Sequence, residues 1–331
     1  MTITNRIVSV LVSIIIFALN TALPSTDRHG TRIDEYNGGD PFIIEHGNSS
    51  YYTYTTNNSI VIRKTVSFDN TQTIEERCIC KTGSNGIADN IWAPEIHRIN
   101  NKWYIVACAL FDKNAVARGT MPERKTSDEH SDYYRYGFVL ESKTDDIFGE
   151  YEFKSILAPD GLNNIDGTYL QKDGKLYYVF SGYVDVAHQC IFIAEMENPY
   201  TLKADENGKN NAIMVSRPEY RWEKHGWYVN EAPAILYKEN KVFIVYSASG
   251  YSSGEYCMGM LMLRGSNIMN KNCWVKSCVK VFGKSKKQNQ YHTGHCSFLY
   301  RDNGEIYMVY HATECPDFNK SPRCTYIKRI T

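Results

Sequence analysis

The chain has 331 residues, enough for one large domain or two ordinary ones around a sizeable core. Lys plus Arg number 37 and Asp plus Glu number 37, so no net field gathers phosphates or anionic lipid, and nucleic-acid binding is disfavoured. A composition 43% hydrophobic and 22% charged is globular, and 25 Tyr with 13 Phe and 5 Trp suits β-sheet and sugar-binding surfaces.

At the start, Arg6 is followed by the apolar run Ile7 to Leu19, interrupted only by Ser9 and Ser13. About 20 apolar residues span a bilayer, so this run is too short for an anchor. Asn20-Thr21-Ala22 offers small residues for cleavage, so residues 1–22 are expected to be a signal peptide. No second run of that length follows, which predicts a secreted, extracellular chain with no membrane contact after signal removal. The sequons Asn48-Ser49-Ser50 and Asn57-Asn58-Ser59 fit export. So do ten cysteines, an even number that suggests disulfides. Cys315 with Cys324, around a Pro-rich turn, is the first expected pair and Cys273 with Cys278 the second. Cys108 and Cys190 lie in apolar strand-like runs and read as buried free thiols. With no CxxC spacing, no zinc site is expected.

From residue 40 onward one pattern recurs: an apolar run, a polar turn, then an aromatic-rich strand. It opens at Asp40, Trp92, Asp166, Glu231 and His295, leaders separated by 52, 74, 65 and 64 residues. Asn-Asn, Asp-Gly, Glu-Asn or Asn-Gly at the bends marks each unit as a β-hairpin. Further strand-like runs follow at Phe138 to Ser142, Cys190 to Glu195, Tyr256 to Leu263 and Cys324 to Ile330. Five units with room for four strands each predict an all-β, five-bladed β-propeller over residues 27–331. A β-sandwich would explain the strands but not five matched hairpins. Lys113 to Arg135 reads as a solvated insertion, and residues near Thr31 to Ile33 are expected to add a strand to the last blade.

In a propeller the innermost strands line a central channel, so the leaders should converge at one end of it. Three carboxylates, Asp40, Asp166 and Glu231, would face one cavity and raise one another's pKa, a cost that packing alone does not explain. Paired carboxylates across a cleft are the apparatus of glycoside hydrolysis. Trp92 would give a sugar face an apolar platform or plug the channel. His295 would bind substrate, fix a water or support a metal, or serve as a satisfied channel histidine.

The segments Gly39-Asp40-Pro41, Trp92-Ala93-Pro94-Glu95, Ile165-Asp166-Gly167-Thr168 and Asn230-Glu231-Ala232-Pro233 resemble the motifs of glycoside hydrolase family 43. Members are five-bladed propellers that hydrolyse arabinan- and xylan-type glycosides with inversion. The resemblance implies Asp40 as general base, Asp166 as pKa modulator and orienting acid, and Glu231 as general acid. It implies that His295 matches a family histidine beside a structural calcium, here held through waters, with no cofactor required; Trp92 and His295 at the repeat heads are the expected substrate-binding residues. Phe138 to Ser142, Val215 to Pro218, Trp222-Glu223 and Tyr246 to Gly250 look most like the exo-acting α-L-arabinofuranosidase branch. The implied partners are plant-type arabinan or arabinoxylan oligosaccharides. Two positions depart from the family pattern: Ala232 stands where Gly is common, and Cys296 where a small polar or amide residue is usual. A β-D-xylosidase on the same fold and a non-catalytic glycan-binding propeller are the alternatives.

Overall fold

The computed structural model describes residues 29–34, 38–112, 133–185 and 187–330. The expected signal peptide and most of the Lys113 to Arg135 insertion lie outside these. Strands form five antiparallel groups around a channel. Blade 1 runs through Phe42–His46, Ser49–Thr53, Ser59–Ser67 and Asn70–Lys81. Blade 2 comprises Ile87–Ile99, Lys102–Asp112, Tyr133–Ser142 and Tyr151–Leu157. Blade 3 has Asn164–Lys172, Lys175–Tyr183 and His188–Asn198, with Ala212–Ser216 outermost. Blade 4 is Tyr228–Lys238, Lys241–Ala248, Cys257–Leu263 and Trp274–Lys276. Blade 5 is Tyr291–Tyr300, Ile306–Thr313 and Cys324–Arg329.

Blade 5 takes its fourth strand from the other end of the chain. Thr31 pairs with Ile327 and Arg32 with Tyr326, and Ile33 N–H donates to the Thr325 carbonyl at 3.0 Å. The expected closing strand is present. It satisfies an edge that would otherwise stay open.

The core is divided in the same way. Five buried clusters lie one at each junction between neighbouring blades, including Ile33, Ile43 and Tyr52 of the first side against Leu299, Val309 and Ile327 of blade 5. That last cluster joins the first blade to the fifth, so the ring is held by apolar burial as well as by strand pairing. The turns explain the hairpins. Asn100-Asn101, Asp173-Gly174 and Glu239-Asn240 all adopt positive φ, the paired left-handed geometry that matches strand twist.

Two expectations need correction. The five leaders are not at one structural position. The inner strands of blades 2 to 5 carry a bulge containing a residue with positive φ, at Ala93, Asp166, Ala232 and His295, and Asp40 has the same φ just before the blade 1 strand. Trp92 and Glu231 stand one residue earlier, paired with Cys108 and Ser247 of the neighbouring strand. The leaders thus occupy two adjacent positions, a distinction that a repeat period read to within one residue misses. The expected disulfides are also not formed, and all ten cysteines are free thiols. Cys324 is buried in the blade 4–blade 5 core, and Cys315 is half-buried in the loop before it. Cys273 packs beside Gly265 and the blade 3–blade 4 core, while Cys278 uses its carbonyl to accept the Trp222 indole N–H. Cys108 and Cys190 are buried and free, as read from their strands.

Candidate active site

One cleft of about 900 Å³ opens at the end of the channel where the bulges lie. Asp40, Trp92, Asp166, Glu231 and His295 all line it. Positive φ is uncommon for residues other than glycine and stores strain of order 1–3 kcal/mol. At Asp40, Asp166 and His295 the residue with positive φ itself lines the cleft, whereas in blades 2 and 4 the residue before it, Trp92 or Glu231, does so.

The bulges leave backbone N–H groups that need partners, and each comes from another blade. Thr55 Oγ1 of blade 1 accepts the Ala93 N–H at 2.8 Å, and Ser247 Oγ of blade 4 accepts that of His295 at 2.7 Å. His311 Nδ1 of blade 5 accepts the Asp40 N–H at 3.1 Å. Asp166 Oδ2 itself accepts the Ala232 N–H at 3.1 Å. The site is therefore stitched across the ring, and its geometry depends on blade packing as a whole.

Asp40 stands among cations. Its Oδ1 accepts from Arg323 Nη1 at 2.8 Å and lies 3.1 Å from His295 Nδ1, while Oδ2 accepts from Thr55 Oγ1 at 2.7 Å. Burial alone would raise this carboxyl, but Arg323 and then His295 hold it well below the usual carboxylate range. A side chain on Gly39 would collide with the Arg323 guanidinium, so glycine is needed for that approach. Burial alone would lower His295, yet Asp40 and then Asp166 bring it to about 9, so the ring is an imidazolium at neutral pH. His311, by contrast, is pushed down by burial to about 4 and stays neutral, which frees Nδ1 to accept a backbone proton.

Glu231 stands among neutral donors and another acid. Tyr256 OH donates to its Oε1 at 2.8 Å and Gln189 Nε2 to its Oε2 at 3.2 Å. Ser181 Oγ donates to the Asn230 carbonyl at 2.9 Å and accepts from Gln189 at 2.9 Å, which fixes the direction of the amide. Burial first, and Asp166 second, push Glu231 up to about 7 against the Tyr256 hydrogen bond. Asp166 is itself raised by burial to about 6, with the His295 charge opposing.

Trp92 forms a wall of the cleft. Its Nε1–H donates to Asn57 Oδ1 at 2.9 Å, and the Arg135 guanidinium covers one ring face at 3.8 Å. His295 fits a metal poorly as a direct ligand, because it carries a proton and turns Nδ1 to Asp40. Among the described residues no group of three or more His, Cys, Asp or Glu is arranged to hold an ion.

Sequence reading missed Arg323, Thr55, Gln189 and Tyr256. Arg323 sits in the Pro-rich turn that was read for its cysteines. Ser181, Ser247 and His311 did leave a signal: each is a polar residue breaking an aromatic run.

The sequence pattern of Glycosyl hydrolases family 43 matches residues 33–331. An extracellular exo-α-(1→5)-L-arabinofuranosidase of Streptomyces chartreusis is 31% identical over 294 residues, covering 86% of this chain and 82% of that protein. α-L-Arabinofuranosidase 43 of Humicola insolens is 29% identical over 86% of this chain, which spans only 56% of that longer protein. Among solved structures, α-L-arabinofuranosidase from Lactobacillus brevis superposes with a TM-score of 0.74 at 27% identity, over 88% of this chain and 90% of its own.

Proposed function

The chain belongs to glycosyl hydrolase family 43, and on that premise we propose that it releases terminal α-L-arabinofuranose from arabinan-type oligo- or polysaccharides with inversion. The observation that carries the reading is one cleft holding a carboxylate kept ionised by cations and a second carboxyl kept protonated by burial. Asp40 takes a proton from water as that water attacks the anomeric carbon. Glu231 gives its proton to the leaving oxygen as the glycosidic bond breaks. Asp166, hydrogen-bonded to the backbone beside Glu231, keeps the acid's pKa high and orients it. Inversion needs the two carboxyls roughly 6.5–9.5 Å apart, so that water fits between the base and the sugar. No cofactor is required, and no step passes through calcium.

The names of the relatives support the arabinofuranoside choice over the xyloside. Two relatives are named as extracellular, which with the Ile7 to Leu19 run supports secretion. Trp92 supplies a wall for the bound sugar, and His295 supplies charge beside the base. The test is a panel of α-1,5-linked arabino-oligosaccharides and aryl pentosides with product analysis. Single arabinose units should appear first, as the β-anomer. Turnover of xylosides alone, early internal fragments, or no turnover at all would overturn the reading.

A further inference from the structure

Beyond the carboxylates the cleft is also lined by Trp227, Tyr251 and the loop from Phe318 to Arg323. Trp227 is 68% exposed and Tyr251 is 44% exposed, and both line the cleft together with Phe318. Single exposed aromatics are ordinary on protein surfaces, but three on the rim of one cleft are not scattered. Trp227 lies four residues before Glu231 at the entrance to the blade 4 inner strand. Tyr251 follows the neighbouring strand, whose Ser247 pairs with Glu231.

Their backbones are fixed. Trp227 N–H and Gly250 N–H both donate to the His225 carbonyl, at 3.0 and 2.8 Å. His225 N–H donates to Ser249 Oγ at 3.0 Å, and that hydroxyl donates to the Trp222 carbonyl at 2.9 Å. Tyr251 meets Phe318 edge to face at 5.2 Å, and Phe318 meets His292 likewise at 5.3 Å. An indole held in water on an anchored turn gains nothing for folding from its exposed face. The leaving group must lie on the side of the acid, because Glu231 protonates its oxygen. Trp92, also in the cleft lining, is different: one ring face is covered by Arg135 and its N–H is taken by Asn57.

We propose that Trp227, Tyr251 and Phe318 form a binding platform for the leaving-group part of the substrate, the second and third sugars of a furanose chain. This rests on the arabinofuranosidase reading. Flat apolar faces with a hydroxyl at hand suit sugar rings, whose C–H faces are apolar and whose edges hydrogen-bond. The protein is then selective for chains over single-sugar conjugates.

The experiment compares kcat/KM on methyl α-L-arabinofuranoside, which has no leaving-group sugar, with α-1,5-linked arabinotriose. The unmodified protein should favour the trisaccharide, and Trp227→Ala should lower that ratio about 10-fold. Trp227→Phe should restore most of it. Thermal unfolding of each variant separates loss of fold from loss of the platform. A ratio that Trp227→Ala leaves unchanged, or no chain-length preference in the unmodified protein, overturns the platform. Failure of the arabinofuranosidase reading looks different: the unmodified protein would turn over neither the methyl nor an aryl arabinofuranoside.

Discussion

Asp40 and Glu231 share one cleft, and burial pushes both toward the neutral form. They end in opposite states because their neighbours differ. Around Asp40, Arg323 and His295 approach to 2.8 and 3.1 Å. A unit charge at about 3 Å attracts with a gross energy of several kcal/mol even at an effective dielectric of ~20, enough to outweigh desolvation. Around Glu231 the donors are a phenol and an amide, and the charge that acts on it most is another acid, Asp166. Neutral hydrogen bonds contribute only about 1 kcal/mol each, so burial wins there. The lesson is that burial sets no charge state by itself. The sign of the neighbours does.

That contrast can be broken from either side. Asp40→Ala should have the largest effect, a loss of about 10³-fold or more in kcat on every substrate, because water always needs its base. An activated aryl leaving group should not rescue it. Glu231→Ala should lower kcat on natural linkages by about 10²–10⁴-fold while sparing aryl glycosides that leave unaided. Steady-state kinetics on paired substrates distinguishes the two.

Arg323→Leu sharpens the comparison by making the base resemble the acid. Removing the cation raises the Asp40 pKa, so the protonated, inactive base persists to higher pH. The acid limb of kcat/KM should therefore move upward into the measurable range, with a loss of about 10–100-fold at neutral pH. The smallest effect is expected for Ala232→Gly. Relief of left-handed strain, about 1–2 kcal/mol, is offset by the lost buried methyl and by the added chain entropy of glycine. Its melting temperature should stay within about 3 °C of the parent, with both pH limbs in place. The alanine is tolerated at this position for that reason.

Much of this arrangement is legible in the sequence because it is periodic. Hairpins with Asn-Asn, Asp-Gly and Glu-Asn bends announce the blades, and residues near Thr31 have an apolar, strand-like end to pair with. The cleft's three carboxylates stand at the repeat heads for the same reason. What was not legible is what crosses between blades. Thr55 serves Ala93, Ser247 serves His295 and His311 serves Asp40, each over a junction that no single repeat encodes. Arg323 reaches Asp40 over 283 positions of sequence, from a loop with no repeat counterpart. The one-residue offset of Trp92 and Glu231 arises from bulges, which change side-chain direction without changing the period. Cysteine count suggested disulfides, but Cys324 serves as an apolar residue of the blade 4–blade 5 core and is a free thiol.

The most direct test is the alkaline limb of the pH profile. In the proposed role Glu231 acts in its protonated form, and burial with Asp166 pushes its pKa up to about 7, so kcat/KM on an α-1,5-linked arabino-oligosaccharide should fall as pH rises through that value. On the same oligosaccharide, Glu231→Gln should be slower by about 10²–10⁴-fold, with its residual activity level across pH 7, since Asp40 remains ionised throughout. An alkaline limb that persists near pH 7 in Glu231→Gln would contradict the assignment of the acid.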